Sequence, residues 1–402
     1  MATPNPEISS GCYAPGVIDW LFTMGRRIES TNKFVHQLAH QMNDHGASID
    51  RLMLSLLTIN PQLVGTSETW LKATDITTPI HASHGVRNTE RYIGSPLAII
   101  YETHKRVRQR LDNLPEDAHR AYTELAADGF TDYVALPVLF GEVAEPGAAI
   151  IISTKRKGGF SDQHIESFRR IRDYLAPVLE VHALRHISRS LMNTYVGKRT
   201  SEKVLAGMIK RGDADVINAA LWFSDLRNFT HLTETLPSEQ ILEMLNEYFE
   251  FVSAAVTARG GEILRFIGDA MLIVFPIDDN MSNRTACNAA IDAAIDAQST
   301  LETLNHRRRR RGQPEIEFGV GLNIGEVIYG NVGAPDRLDF TVMGPAVNRT
   351  ARLESLTKKL DCNILFSEKF AELIETPSDF LGQHEMKGIA EPQAVYASCK
   401  AQ

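Results

Sequence analysis

The chain is short of three things, and each shortage excludes a class of protein. It has four cysteines in 402 residues, Cys12, Cys287, Cys362 and Cys399, with no C-x-x-C pair. That scatter excludes a disulfide scaffold and a thiolate zinc site, and it predicts a reducing, cytoplasmic location. Long apolar runs are missing too: stretches such as 148–152 fall far short of the ~20 residues that span a membrane. The opening residues, MATPNPEISSG, have neither the basic start nor the apolar core of a secretory signal. Positive charge is also scarce. Lys+Arg 42 against Asp+Glu 50 leaves a net charge of −8, poorly suited to holding a nucleic-acid backbone over a broad face.

What remains is a multi-domain chain of ordinary globular composition, long enough for two or three domains at ~150 residues each. Residues 1–19 form an N-terminus rich in Pro, Gly and Ser in its first 15 positions, expected to fray. From 20 to 58 the pattern reads as helical, with Ile49, Leu52, Leu56 and Leu57 on one face. Residues 133–140 and 148–154 read as two strands joined by the turn Glu145-Pro146-Gly147. A second turn, Gly158-Gly159-Phe160, precedes a long helix. The layout of 20–165 resembles a GAF-type sensor domain, a likeness of arrangement rather than of motif.

Residues 166–213 read as a helical connector. Ile171, Leu175, Val178, Val181, Leu184, Ile187 and Leu191 recur every three or four residues, giving one stripe, and Pro177 is a candidate kink. The stripe fits either packing on its own domain or dimerisation with a second chain. Composition changes over 197–215, and the second domain is placed at 214–402. There 219–224 reads as a buried strand, Pro237-Ser238 opens a helix with Ser as its cap, and Ile241, Leu245, Tyr248 and Val252 share a face. Two short strands, 262–267 and 270–275, flank Gly268-Asp269 as a hairpin. A helix over 284–304, a strand around 318–324 and a helix over 346–360 follow. This order matches a ferredoxin-like βαββαβ core, so the fold class is α+β, preceded by the GAF-like α/β domain and its helical connector.

Two carboxylates stand out by position. Asp225 directly follows the first strand of that core, and Asp269 sits at the hairpin tip, so both reach one edge of the sheet. Paired acids are costly without a cation, and oxygen ligands without His or Cys favour Mg²⁺ or Mn²⁺ over zinc. The turn 226–230, between strand and helix, offers backbone N–H groups to phosphate oxygens. Asn348 and Arg352, at i and i+4, project from one helix face; Arg352 is suited to stabilising charge at phosphorus and Asn348 to binding a sugar.

These residues lie in four runs, FSDLRNFT, LRFIGDAMLIVF, FGVGLNIGEVIYGNVG and DFTVMGPAVNRTARLE. In this order they resemble the catalytic domain of class III nucleotidyl cyclases over about 219–397. The resemblance implies conversion of ATP to 3′,5′-cyclic AMP and pyrophosphate, with two Mg²⁺ or Mn²⁺ ions per active site held by Asp225, Asp269 and the Leu226 carbonyl. It also implies that Asn348 positions the ribose and Arg352 stabilises the transition state. Phe229 and Thr230 would meet phosphate, and Lys387 corresponds to a phosphate-binding lysine.

The base-reading positions fall on Arg265, where the family has lysine, and on Thr341, as in the subclass with bicarbonate-responsive members. A guanylate cyclase would show an acid at 265, so adenine is favoured, with guanine as the alternative. Asn228 replaces a common glycine, and Asn tolerates left-handed backbone. The metal aspartates and the Asn/Arg pair would meet only across a head-to-tail homodimer. An unidentified ligand or partner is expected at the first domain.

Two rival readings stand beside this one. A diguanylate cyclase would need a Gly-Gly-Asp/Glu-Glu-Phe hairpin, which Ile267-Gly-Asp-Ala-Met271 lacks. A catalytically weak, cyclase-shaped regulatory module is the other. The run Arg307–Arg311 reads as a solvated helix end favoured by the dipole. Of the 13 His, the pair His182/His186 reads as connector surface, and no histidine spacing is assigned to a metal.

Overall fold

The computed structural model describes residues 12–141 and 146–398. The expected frayed start up to residue 11, Glu145 of the expected turn and Cys399 lie outside the described residues. Two compact units divide the chain, Met1–Thr194 and Tyr195–Gln402. Among the described residues no helix is long and apolar enough to cross a membrane.

The first unit comprises α1 (Ala14–Thr23), α2 (Thr31–Asp44), β1 (Arg51–Leu57), β2 (Leu63–Leu71), β3 (Ile76–Ser83), α3 (Pro96–Thr103), β4 (Val107–Arg110), α4 (Arg120–Ala127), β5 (Asp132–Leu139), β6 (Pro146–Thr154) and α5 (Asp162–Val196). Its strands form one antiparallel sheet in the order β3-β2-β1-β6-β5-β4. Leu52, Leu54, Leu136 and Ile150 face a core shared with α1, α2 and the first half of α5. Met53, Ala135 and Ile151 face a second core with Ile100 of α3 and Tyr122 of α4.

This two-sided burial corrects the helical reading of 20–58. Helix ends at Asp44, Gly46 takes φ +90° and Ser48 φ +51°, and 51–57 is a strand. A largely apolar run such as this suits a strand covered on both faces as well as it suits a helix. The stripe on α5 also divides. Ile171, Leu175 and Val178 are buried in the first core, whereas Val181 and Leu184 are exposed. Pro177 lies inside α5, which runs on past it. His182 is not surface: it is 3% exposed and its ring stands 4.9 Å from that of Phe34.

The second unit comprises α6 (Lys198–Leu205), β7 (Ala214–Leu226), α7 (Phe229–Thr235), α8 (Ser238–Ala258), β8 (Glu262–Ile267), β9 (Ala270–Pro276), α9 (Asn283–Arg310), β10 (Phe318–Ala334), β11 (Arg337–Met343), α10 (Pro345–Thr357), β12 (Ile364–Ser367), α11 (Glu368–Ala371), β13 (Ser378–His384) and β14 (Gln393–Ser398). The strands run β13-β14-β12-β10-β7-β9-β8, with β11 paired to β10. In the four strands β10-β7-β9-β8 each neighbouring pair is antiparallel, and with α8 and α9 they make the βαββαβ core.

On one face Trp222, Ile273 and Val320 pack under α8 and α9. On the other, Leu221, Val274 and Val327 pack near Ala346 of α10. Ser238 is the first residue of α8 rather than its cap; Pro237 takes the cap position without a side-chain hydrogen bond. The arginine run is not wholly solvated either. Arg308 is 3% exposed, pairs with Glu247 and donates to the Pro314 carbonyl at 2.7 Å. Its aliphatic stem and fixed guanidinium fork suit a partly buried pair better than a solvated end.

Candidate active site

Asp225 stands one residue from the end of β7, opposite Gly319 in the β7–β10 ladder. Its predecessor Ser224 is paired with Met271 of β9. The β8–β9 turn, with Gly268 at φ +65°, therefore delivers Asp269 beside it. A non-glycine residue would be strained at that φ, so the tip is as tight as the sequence reading required.

Asp225 Oδ1 is buried and accepts no hydrogen bond. Burial first, and then the adjacent Asp269 carboxyl, push the Asp225 carboxyl up to about 7. A cation beside such a pair favours the form in which both carboxylates are charged. The unsatisfied oxygen, together with an all-oxygen donor set, fits a hard divalent ion.

A third acid completes the cluster, and sequence reasoning missed it. Glu354 on α10 is pushed up to about 7, mainly by burial and next by the Asp225 charge, with Asp269 adding a smaller repulsion. It is brought there by two glycines. A Cβ on Gly321 would lie 2.4 Å from the Thr350 carbonyl oxygen and from Glu354 N, and one on Gly319 would lie 3.0 Å from Glu354 Oε1. Only bare backbone lets α10 settle this closely on β10. The signal was present in the run FGVG, whose two glycines in a strand interior mark a close approach.

After β7 the chain turns sharply. Asn228 adopts φ +59°, the left-handed conformation expected of it, and its side-chain oxygen accepts from Lys358 Nζ at 3.4 Å. Arg227 N donates to the Glu317 carbonyl at 2.8 Å, anchoring the turn to β10. Leu226 is buried, Phe229 packs at the edge of the main core, and Thr230 is exposed.

Asn348 and Arg352 stand one turn apart on α10, both exposed. Neither side chain has a hydrogen-bond or ion-pair partner among the described residues. Lys387 is exposed between β13 and β14.

At Arg265 and Thr341 the structure adds a neighbour that the sequence argument did not weigh. Arg265 Nη2 lies 2.5 Å from Asp339 Oδ2. Asp339 sits two residues before Thr341 on β11, so the two share a face; Thr341 is buried. An acid thus stands beside position 265, contributed by β11.

Residues 214–397 match the family described as the adenylate and guanylate cyclase catalytic domain. An adenylate cyclase of Anabaena cylindrica is 36% identical over 176 residues, which cover 43% of this chain and 34% of the relative. Adenylate cyclase 1 of Rhizobium meliloti is 34% identical over 178 residues, covering 43% of this chain and 26% of that protein. The match thus spans about a third or less of these relatives' length. The fold is similar to that of a bacterial light-regulated adenylyl cyclase, at TM-score 0.50 and 22% identity over 67% of this chain and 86% of the other. Residues 214–397 of this chain are thus similar to adenylate and guanylate cyclase catalytic domains.

Proposed function

We propose that this chain is an adenylate cyclase that converts ATP to 3′,5′-cyclic AMP and pyrophosphate, regulated by a GAF-like N-terminal domain at 20–165 through a connector at 166–213. The carrying observation is the buried, unpartnered Asp225 oxygen beside Asp269. Asp225, Asp269 and the Leu226 carbonyl would hold Mg²⁺ or Mn²⁺, two ions per site. When bound, such ions supply Lewis-acid charge toward the ribose 3′-hydroxyl and the triphosphate.

The chain's own residues do the rest. The turn carrying Phe229 and Thr230 receives phosphate oxygens, with Lys387 adding positive charge. Asn348 orients the ribose so that its 3′-oxygen lies in line with the α-phosphorus. Arg352 stabilises the negative charge that grows on the α-phosphate oxygens as the 3′-oxygen bonds to phosphorus and pyrophosphate departs. Arg265 and Thr341 read the base. The free, exposed side chains of Asn348 and Arg352 support a head-to-tail homodimer in which they serve the partner's aspartates. The antiparallel sheet of the first unit, covered by helices on both faces, supports the sensor reading and a small ligand there.

A second reading, guanylate cyclase, draws on Asp339. Its carboxylate is suited to accept from guanine N1–H and the 2-amino group. Adenine is preferred here because both curated relatives described above are named adenylate cyclases. Purified protein with Mn²⁺ is expected to turn over ATP in preference to GTP, and Asp269→Ala to abolish turnover. Normal turnover in that variant removes the metal assignment, and none in the unaltered chain favours the regulatory-module reading.

A further inference from the structure

A second ligand cluster stands in the first unit, far in sequence from the carboxylates above. Its helix half is the run His36-Gln-Leu-Ala-His40, an i, i+4 histidine pair that the sequence reading passed over. On α2, Phe34, Val35, Leu38, Ala39 and Met42 face the core. His36 and His40 lie away from it, with ring centroids 4.8 Å apart.

The turn between β2 and β3 brings Asp75 against them. Asp75 Oδ1 lies 2.7 Å from His40 Nε2 and 3.9 Å from His36 Nε2. One donor atom from each of the three residues lies within 4.8 Å of the others. Two ligands each ~2.1 Å from a tetrahedral ion are ~3.4 Å apart, and the two measured distances bracket that spacing.

Two features hold the carboxylate in place before any ion arrives. Asp75 adopts φ +53°, a left-handed turn that directs its side chain back toward α2. The indole of Trp70, itself 2% exposed, donates from Nε1 to Asp75 Oδ1 at 2.9 Å. That bond, followed by the one to His40, holds the Asp75 carboxyl below its ordinary range. A buried donor orienting a ligating carboxylate is the usual outer shell of a metal site. A simple His40–Asp75 pair accounts for one histidine only. His36, at 3.9 Å, is too far to hydrogen-bond Asp75 and is left without a role in that picture.

We propose that His36, His40 and Asp75 form a site for a late first-row divalent cation, Zn²⁺ above all. Two imidazoles and one carboxylate select zinc, cobalt or nickel over Mg²⁺, which prefers oxygen alone. With side-chain exposures of 35%, 46% and 54%, the three residues leave a coordination position open to water or a small ligand.

The test is a Co²⁺ titration of the full chain, read by visible d–d absorption and by quenching of Trp70, whose ring lies 5.7 Å from that of His40. Zn²⁺ is then added to displace the cobalt. The unaltered chain is expected to bind one equivalent more than His40→Gln and to show an absorption band that His40→Gln lacks. His36→Gln and Asp75→Asn should weaken binding by about tenfold or more. Asn accepts the left-handed turn, so Asp75→Asn keeps the fold if a histidine variant does not. Equal stoichiometry and unchanged spectra across the variants, with only a drop in Tm, would reduce the cluster to an ion pair and overturn the proposal. Cyclase turnover plays no part in this readout.

Discussion

Gly319 lies directly opposite Asp225 in the β7–β10 ladder, and a Cβ placed on it would approach Thr357 Oγ1 to 2.2 Å and Glu354 Oε1 to 3.0 Å. A residue without a side chain thus sets the distance between the helix α10 and the edge that carries Asp225. Gly319→Ala is expected to lower Tm, at an overpacking cost of about 1–3 kcal/mol, and to reduce turnover by moving Glu354. Gly321→Ala should be worse, because the atoms it meets at 2.4 Å are backbone. Thermal melts and ATP turnover of the two variants check this; wild-type values in both would show that α10 tolerates the displacement.

The acid cluster makes stability depend on pH in a stated direction. Asp225 and Glu354 are raised to about 7 from ordinary values of 3.8 and 4.5. Between about pH 4 and 7 the cation-free fold therefore binds more protons than the unfolded chain. Its stability falls as pH rises through that window and levels off above it. Melts in a chelator across this range should show the decline. Added Mn²⁺ should raise Tm more at about pH 8 than at pH 6, because the ligands must be deprotonated to hold it. A flat profile in chelator would show that the carboxyls are not mutually strained.

Glu354→Gln removes one charge from the cluster without changing its shape. The cation-free variant is expected to melt higher than wild type at pH 8, since Asp225 then ionises more easily. The acidic limb of its pH–rate profile should move to lower pH. An unshifted limb would place Glu354 outside the electrostatic reach of the site.

Mixing Asp225→Ala chains with Arg352→Ala chains tests the shared site. Random pairing makes half the dimers mixed, each with one intact site of two, so activity should recover to about a quarter of wild type. Absence of recovery, with mixed dimers demonstrated by pull-down of a tagged chain, would put both halves of the site in one subunit.

Asp339 fixes the guanidinium of Arg265, and freeing it should blur purine choice. Asp339→Ala is expected to reduce the ATP-to-GTP ratio of kcat/KM by about tenfold, or ~1.4 kcal/mol. If the ratio instead moves further toward ATP, Asp339 was reading guanine and the second reading gains.

Local order was legible where side-chain pattern and backbone demand agree. The hairpin around Gly268-Asp269 and the left-handed Asn228 are consequences of residue type, so they stood in the sequence as plainly as in the fold. The segment 51–57 was not legible, because its largely apolar run, broken only by Ser55 after Arg51, records that both sides are covered but not by what. Arg308 and His182 were misplaced for a related reason. Each looks polar by composition, and only the neighbours supplied by distant elements, Glu247 and Phe34, account for its burial.

The sequence alone placed Asp225 at the end of a strand, Asp269 at the tip of a hairpin, and Asn348 and Arg352 one turn apart on a helix, because each of those placements is local. Tertiary structure decided what faces those groups. Glu354 joins the acids through two glycines on another strand, Asp339 meets Arg265 across β8 and β11, and Asp75 meets the α2 histidines from the β2–β3 turn. Charges interact through space over a few ångströms whatever their separation along the chain, so such partners are set only once the strands and helices have packed.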